Sequence, residues 1–137
     1  MRPTIYLVDT NVISEFVSAK PHTKVMRWLQ SVGSITVSVI TVEEARFGLS
    51  WHANPRKLAL FNAILAQAAA MYPVTESVAE RAGVLRGQLQ TQGITRTPAD
   101  MLIAATALEH RLVIATRNVK DFSRCGVEVV NPFTYAV

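Results

Sequence analysis

Short runs of apolar residues alternate with longer stretches of helical periodicity along this chain. Residues 4–8 and 112–116 are apolar nearly throughout, which predicts strands buried on both faces, as in a parallel sheet. Residues 34–40 are rich in β-branched side chains and predict another strand. Two shorter stretches, at 72–74 and 127–130, predict the last two strands.

Six helices are predicted among these strands, because apolar residues recur at intervals of three and four. Capping residues or a proline mark three of the helix starts: Thr41 for the third helix, Ser77 with Glu80 for the fifth, and Thr97 with Pro98 for the sixth. The sixth helix is apolar nearly all round over residues 101–108, so it should be buried. The alternation of strands and helices predicts an α/β sandwich with a mainly parallel sheet, formed as one domain by residues 1–137.

Composition limits the kind of protein further. Half of the 137 residues are apolar, enough for a real core, and the net charge of +4 favours an anionic partner such as nucleic acid. The single cysteine, Cys125, excludes an internal disulfide and a cysteine-based zinc site. Apolar runs are too short for a membrane span, and Asp9 interrupts any signal-peptide core. We therefore expect a cytoplasmic protein with no membrane partner.

The acidic residues lie close to the ends of predicted strands or the starts of predicted helices. The chain holds three aspartates: Asp9 directly after the first strand, Asp100 in the first turn of the sixth helix, and Asp121 shortly after another buried strand. Glu43 and Glu44 lie near the start of the third helix. In open parallel sheets, ligands bind beyond the carboxyl ends of the strands, and the helices that follow begin at the same edge. We therefore expect several carboxylates to converge there.

Helix capping explains each of these acids singly. Asp is a good N-cap, Thr41 with Glu44 has the spacing of a capping box, and Thr97 with Asp100 resembles one. Capping does not explain convergence, because carboxylates brought close together repel one another unless a cation neutralises them. Oxygen ligands without His or Cys select Mg²⁺ or Mn²⁺, which favours phosphoryl transfer or phosphoester hydrolysis.

Three separated blocks resemble the PIN-domain ribonucleases: LVDTNVISE, SVITVEEARFG and TPADMLIAATALEHRLVIATRNVKDF. Within that family they most resemble the VapC-type toxins of bacterial toxin–antitoxin pairs. The start DTNVISE and the ending VVNPF resemble the FitB-like branch. The resemblance spans residues 5–132, with the blocks in the family's order, and implies a PIN-like three-layer α/β/α sandwich.

The resemblance assigns metal and catalytic roles to particular positions. The family's three acids fall on Asp9, Glu44 and Asp100, which leaves Glu43 as an exposed neighbour of Glu44. A fourth position, Asp in some members, falls on Asn118, which offers a carbonyl oxygen without charge. Asp121 is the alternative for this place, and a surface turn residue is its competing interpretation.

Basic and polar residues beside the acidic blocks are candidates for binding the substrate. Arg96 and Arg117 flank the blocks and suit contacts to phosphates, while a solvated surface or an ion pair is the competing interpretation. Asn11 and Thr116 are also placed in the substrate site, where either side chain can orient one of the acids. Trp28 and Trp51 are predicted to pack in the core, since both lie on helices; stacking on bases is the alternative for the pair.

The expected activity is that of a Mg²⁺-dependent endoribonuclease acting as the toxin of a toxin–antitoxin pair, with Mn²⁺ as a second usable ion. The implied partners are an RNA substrate, a VapB-like antitoxin, a second copy of the chain in a homodimer, and promoter DNA reached only through the antitoxin. Three alternatives stay open: a PIN nuclease of RNA maturation, a DNA-directed nuclease, and a catalytically inactive PIN domain that serves as a binding module.

Overall fold

A central sheet of five parallel strands organises the chain. The computed structural model describes residues 2–136; Met1 and Val137, the two ends of the predicted domain, lie outside the described residues. The strands are β1 (Tyr6–Val8), β2 (Thr36–Ser38), β3 (Ala70–Tyr72), β4 (Val113–Ala115) and β5 (Val129–Val130). They run in the order β3-β2-β1-β4-β5, and every neighbouring pair is parallel. The predicted parallel sheet is therefore confirmed.

In the described part of the chain, six α-helices connect and flank these strands. They are α1 (Thr10–Phe16), α2 (Thr23–Val32), α3 (Val39–Trp51), α4 (Pro55–Gln67), α5 (Glu76–Thr91) and α6 (Pro98–His110). Two short 3₁₀ turns follow, at Val119–Phe122 and Pro132–Thr134. Within residues 2–136, no helix combines the length and the apolar character needed to cross a membrane.

Helices cover both faces of the sheet. Successive residues of a strand point to opposite faces, and β1 shows this with two fully buried neighbours. Leu7 packs with the buried residues of α5 and α6, whereas Val8 packs with those of α1, α2 and α4. The result is the three-layer α/β/α sandwich that the family resemblance implied.

The strand order reverses at β1. From β1 the chain builds outward through β2 to β3, then returns to place β4 on the other side of β1. Such a switch point leaves a crevice beyond the carboxyl ends of the two central strands, because the connections leave in opposite directions. The crevice here is bounded by Asp9 and Thr116, and the backbone N–H of Asp9 donates to the carbonyl of Ala115 at 2.9 Å.

The predicted start of α3 is wrong by three residues. Ser38 is the N-cap, and its side chain accepts a hydrogen bond from the backbone N–H of Ile40 at 3.0 Å. Thr41 lies inside the helix and is buried. The error arose because the apolar, β-branched run continues past the short strand β2 into the first turn of the helix. The capping-box explanation for Glu44 is therefore excluded.

The predicted cap of α5 is also wrong. Thr75 caps this helix by accepting from the N–H of Val78 at 3.2 Å, whereas the hydroxyl of Ser77 donates to Oε1 of Glu109 on α6 at 2.7 Å. Thr75 and Ser77 are both good caps, and the contact with Glu109 is invisible to local sequence. The predicted start of α6 is confirmed, since Thr97 accepts from the N–H of Asp100 at 3.1 Å.

The two tryptophans have different environments. Trp28 is 4% exposed and packs edge-on against Tyr6, as a core residue should. Trp51 is 68% exposed at the end of α3, where it meets the exposed ring of Phe47, so the core prediction for Trp51 is wrong. Helical spacing placed Trp51 on a face of α3 that no other described element covers closely enough to bury it.

Candidate active site

Asp9 is a buried carboxylate held on both oxygens. It is the N-cap of α1, and Oδ1 accepts from the backbone N–H of Thr10 at 2.8 Å. Oδ2 accepts from the hydroxyl of Thr116 at 2.8 Å and from the amide of Asn11 at 3.2 Å. Only 6% of the residue is exposed. The capping interpretation of Asp9 is therefore correct but incomplete, because a cap alone needs only one of these contacts.

A polar network behind Asp9 joins the ends of β1 and β4. The hydroxyl of Thr116 accepts from the amide of Asn11 at 3.1 Å and from the backbone N–H of Asn118 at 3.0 Å while it donates to Asp9. Its one donor and two acceptor positions are all used. Oδ1 of Asn11 in turn accepts from the N–H of Arg117 at 3.0 Å. The network fixes the Asp9 carboxylate at the crevice.

Asn11 and Thr116 thus make the hydrogen bonds to an acid that the sequence suggested. A direct substrate contact does not fit Thr116, because its side chain is fully buried. Its place is behind Asp9, where it orients the carboxylate. The substrate-binding role of Asn11, which is partly exposed, stays a prediction.

Glu44 reaches the same edge from the second turn of α3. Its Oε1 accepts a hydrogen bond of 2.7 Å from the hydroxyl of Thr10, the residue next to Asp9. Glu44 is partly buried, and its neighbour Glu43 is exposed, as expected from the resemblance. Thr10 was missed by the sequence reasoning. The one sequence feature that marks it is its position between Asp9 and Asn11 in the first block.

Burial and the charges of the other acids raise the pKa of Asp100. Asp100 lies in the first turn of α6, where burial and then the charge of Asp9 raise its pKa from 3.8 to about 6. The charges of Asp121 and Glu44 raise it further, against the opposing effect of the hydrogen bond with Thr97. Asp9, Glu44 and Asp121 therefore lie near enough to Asp100 for their charges to act on its pKa.

The acids nevertheless form a looser group than the sequence suggested. Nowhere within residues 2–136 do three His, Cys, Asp or Glu side chains form a ready ligand cluster for a metal ion. The donors available, carboxylate oxygens alone, suit a hard divalent cation. Mg²⁺ commonly takes one or two carboxylates and completes its shell with water and substrate phosphate oxygens. The residues therefore fit an ion that takes part of its ligands from water or substrate. A site in which protein side chains alone supply every ligand is excluded for the described residues.

The fourth position of the site lies in the exposed loop after β4. Asn118 is exposed at the start of the 3₁₀ turn, and its side chain makes no capping hydrogen bond. Asp121 is exposed too, although its charge reaches Asp100. A role for Asn118 or Asp121 in completing the site stays a prediction.

The two candidate arginines differ in how they are used. Arg96 donates to the backbone carbonyl of Asp121 at 2.6 Å and to the hydroxyl of Ser123 at 3.0 Å, so it braces the loop after β4. Its predicted contact with phosphates stays a prediction. Arg117 is exposed beside the crevice, with its guanidinium 4.8 Å from the centre of the Phe133 ring. Arg117 is therefore the better placed of the two to meet an anion.

Comparison with known proteins matches this architecture. The sequence model of the PIN domain family matches residues 6–127. The chain is 36% identical over 135 residues to the toxin FitB of Neisseria gonorrhoeae, an alignment that covers 93% of this chain and 97% of that protein. It is 33% identical over 135 residues to the VapC ribonuclease Y4jK of Sinorhizobium fredii, covering 93% of this chain and 96% of the relative.

Solved structures agree with the sequence relatives. The crystal structure of FitAcB from Neisseria gonorrhoeae superposes with a TM-score of 0.86 at 36% identity, covering 96% of this chain and 100% of the other. A toxin–antitoxin complex from Klebsiella pneumoniae gives a TM-score of 0.73 at 26% identity, covering 96% and 99%. The family match, the relatives aligned over nearly their whole length and the shared fold agree with one another. The chain therefore belongs to the PIN-domain family.

Proposed function

We propose that this protein is a Mg²⁺-dependent endoribonuclease that acts as the toxin of a toxin–antitoxin pair. The observation that carries the proposal is the contact of Glu44 with Thr10, next to the buried Asp9, in a group of acids whose charges act on Asp100. Support comes from relatives that match nearly the whole chain, one named a toxin and one a ribonuclease. An inactive binding module would have no reason to keep three acids where they repel one another.

The three acids supply the ligands in this proposal. Nucleases of the VapC type generally use a divalent metal ion, and here Asp9, Asp100 and Glu44 would hold it, with Mg²⁺ as the proposed species and Mn²⁺ as a substitute. When bound, such an ion lowers the pKa of a water molecule and stabilises negative charge growing on the phosphate. Asp9 contributes a carboxylate whose orientation is fixed in advance by Thr116 and Asn11.

The substrate binds, in this proposal, at the exposed side of the crevice. Arg117 and Lys120 are exposed in the loop after β4, and both carry charge suited to RNA phosphates. No side-chain nucleophile is needed, because a bound ion would supply an activated water for hydrolysis of the phosphodiester. Arg96 supports this surface indirectly, by holding the loop that carries both cations.

The proposed biological setting follows the relatives. The Klebsiella pneumoniae structure is a toxin–antitoxin complex, and by analogy we expect a VapB-like antitoxin to inhibit this chain. The pair is expected to meet promoter DNA through the antitoxin. We further propose that residues 1–137 form one domain, that it works as a homodimer, and that it acts in the cytoplasm.

A cleavage assay with matched acidic variants tests the activity. The purified protein is incubated with end-labelled RNA or DNA, in Mg²⁺ or in EDTA, beside Asp9→Asn, Glu44→Gln and Glu43→Gln. Glu43 is the control, since it is an exposed glutamate adjacent to Glu44 on the same helix. We expect Mg²⁺-dependent cleavage that Asp9→Asn and Glu44→Gln abolish and Glu43→Gln retains. Cleavage that survives in EDTA or in Asp9→Asn would overturn the proposal, as would cleavage confined to DNA.

A second experiment tests the toxin role. Inducing the wild-type gene in a bacterial host should arrest growth, and inducing Asp9→Asn should not. Sequencing of RNA 5′ ends shortly after induction then identifies the cleaved RNA. Normal growth together with unchanged 5′ ends would favour a nuclease outside toxin–antitoxin systems.

A further inference from the structure

Thr10 binds two carboxylates from two different elements. Its backbone N–H donates to Oδ1 of Asp9 at 2.8 Å, and its hydroxyl donates to Oε1 of Glu44 at 2.7 Å. Asp9 ends the first strand and caps α1, whereas Glu44 lies 34 positions from Thr10 on α3. A single residue thus spans the gap between two of the acids proposed to hold the metal ion.

The two carboxylates differ in how firmly they are held. Asp9 is buried, and three donors on neighbouring residues fix both of its oxygens. Glu44 has a longer side chain with more rotatable bonds, and it borders a groove of about 240 Å³ that Thr10, Ala45 and Gly48 also line. Among residues 2–136, the hydroxyl of Thr10 is the one hydrogen-bond donor to the Glu44 carboxylate, so the position of that carboxylate depends on this contact.

We propose that Thr10 is a positioning residue that sets the Glu44 carboxylate beside Asp9, so that both groups bind a divalent ion together. This inference rests on the proposed role of Glu44 as a metal ligand. The hydroxyl donates to a charged acceptor, and such hydrogen bonds are stronger than those between neutral groups. Partners that orient a metal ligand without touching the metal commonly change metal affinity by about 10- to 100-fold when removed.

Two substitutions separate the hydroxyl from the rest of the side chain. Thr10→Ser keeps the O–H donor and removes only the methyl group. Thr10→Val keeps the branched shape and replaces the hydroxyl with a methyl group. A role in packing alone predicts a larger effect for serine, and a positioning role predicts a larger effect for valine.

The test is a Mn²⁺ titration of the full-length protein without RNA, followed by the electron paramagnetic resonance of free Mn²⁺. We expect Thr10→Val to weaken Mn²⁺ binding by about tenfold or more and Thr10→Ser to stay close to the wild type. In the Glu44→Gln background, Thr10→Val should cause no further loss, because the carboxylate it positions is gone. Urea unfolding verifies that each variant is folded. If the valine variant does not fold, Thr10→Ala is compared with Thr10→Ser in its place.

Several results would overturn the inference. One is wild-type Mn²⁺ affinity in folded Thr10→Val, and another is an equal loss in the serine and valine variants. A loss of the same size in the Glu44→Gln background would assign the effect to Asp9. Failure of the proposed function is a separate result: a wild type that binds Mn²⁺ and shows the Thr10 pattern, yet cleaves no RNA, upholds the positioning role and removes the ribonuclease role.

Discussion

Replacing Asp100 with asparagine should stabilise the metal-free protein at neutral pH. The pKa of Asp100 is raised from 3.8 to about 6 by burial, the charge of Asp9 and smaller effects of other acids. At about 1.4 kcal/mol for each pH unit, this difference corresponds to roughly 3 kcal/mol. Because Asp100 is only partly buried, solvent screening reduces the expected effect to about 1–2 kcal/mol.

The direction of the pH dependence follows from proton binding. A raised pKa means that the folded protein binds the proton of Asp100 more tightly than the unfolded chain does. The stability contributed by this group is therefore complete below about pH 3.8 and is lost as the pH rises through about 6. Asparagine carries no such proton, so the advantage of Asp100→Asn should grow across that range.

Urea unfolding in EDTA, at about pH 4 and about pH 8, measures the free energy of unfolding for each variant. Asp100→Asn should gain about 1–2 kcal/mol relative to the wild type between the two pH values. Effects of asparagine on the helix cap are the same at both values and cancel in the difference. Glu43→Gln, at an exposed position, serves as the control for losing a carboxylate in general. Adding Mg²⁺ at about pH 8 should stabilise the wild type more than Asp100→Asn.

Two results would refute this reasoning. The first is a difference between Asp100→Asn and the wild type that does not change with pH, which would mean that Asp100 carries no unfavourable charge in the fold. The second is Asp100→Asn becoming relatively less stable as the pH rises, which would mean that the carboxylate is stabilised by capping and the helix dipole. The second result would favour capping as the main role of this acid.

Three further substitutions test separate parts of the structure. Thr116→Val removes one hydrogen-bond partner of Asp9 and one of Asn11, so we expect unfolding in urea to be easier by about 1–3 kcal/mol and RNA cleavage to fall; unchanged values would remove the orienting role. Asn118→Asp should tighten Mn²⁺ binding if this position faces the crevice, and an unaltered titration would place it outside. Arg111 ends α6 in the left-handed region at φ 56°, so Arg111→Gly should stabilise the fold by about 0.5–1 kcal/mol, the left-handed penalty less the added chain entropy. A drop in the melting temperature of Arg111→Gly would contradict that balance.

Much of the architecture was determined by the sequence itself. Residues 4–8 and 112–116 lack a polar face, which indicates strands that are buried on both faces. A parallel sheet between two layers of helices buries its strands in this way. Parallel strands in such a sheet place all their carboxyl ends on one edge, so the position of Asp9 directly after β1 already predicted a site at that edge. Helix starts marked by a single strong cap, such as Thr97 before Pro98, were also predicted correctly.

The tertiary structure decided the matters on which local energies differ little. Ser38 and Thr41 are both good N-caps, and capping preferences among such residues differ by less than the roughly 1 kcal/mol that a cap contributes. The choice fell to Ser38 because β2 ends there. The exposure of Trp51 likewise depends on which elements pack against α3, and helical periodicity carries no information about that.

Contacts between residues far apart in the chain could not be predicted from the sequence for the same reason. Thr10 meets Glu44 across 34 positions, and Thr116 meets Asp9 across 107. Arg96 braces a loop 25 or more positions away, a contact that local sequence does not show. The residue types determined which chemistry the site can perform, because carboxylates alone select a hard cation. The packing of α1 against α3, and of β1 against β4, determined which side chains hold those carboxylates in place, because such contacts form only when distant parts of the chain come together.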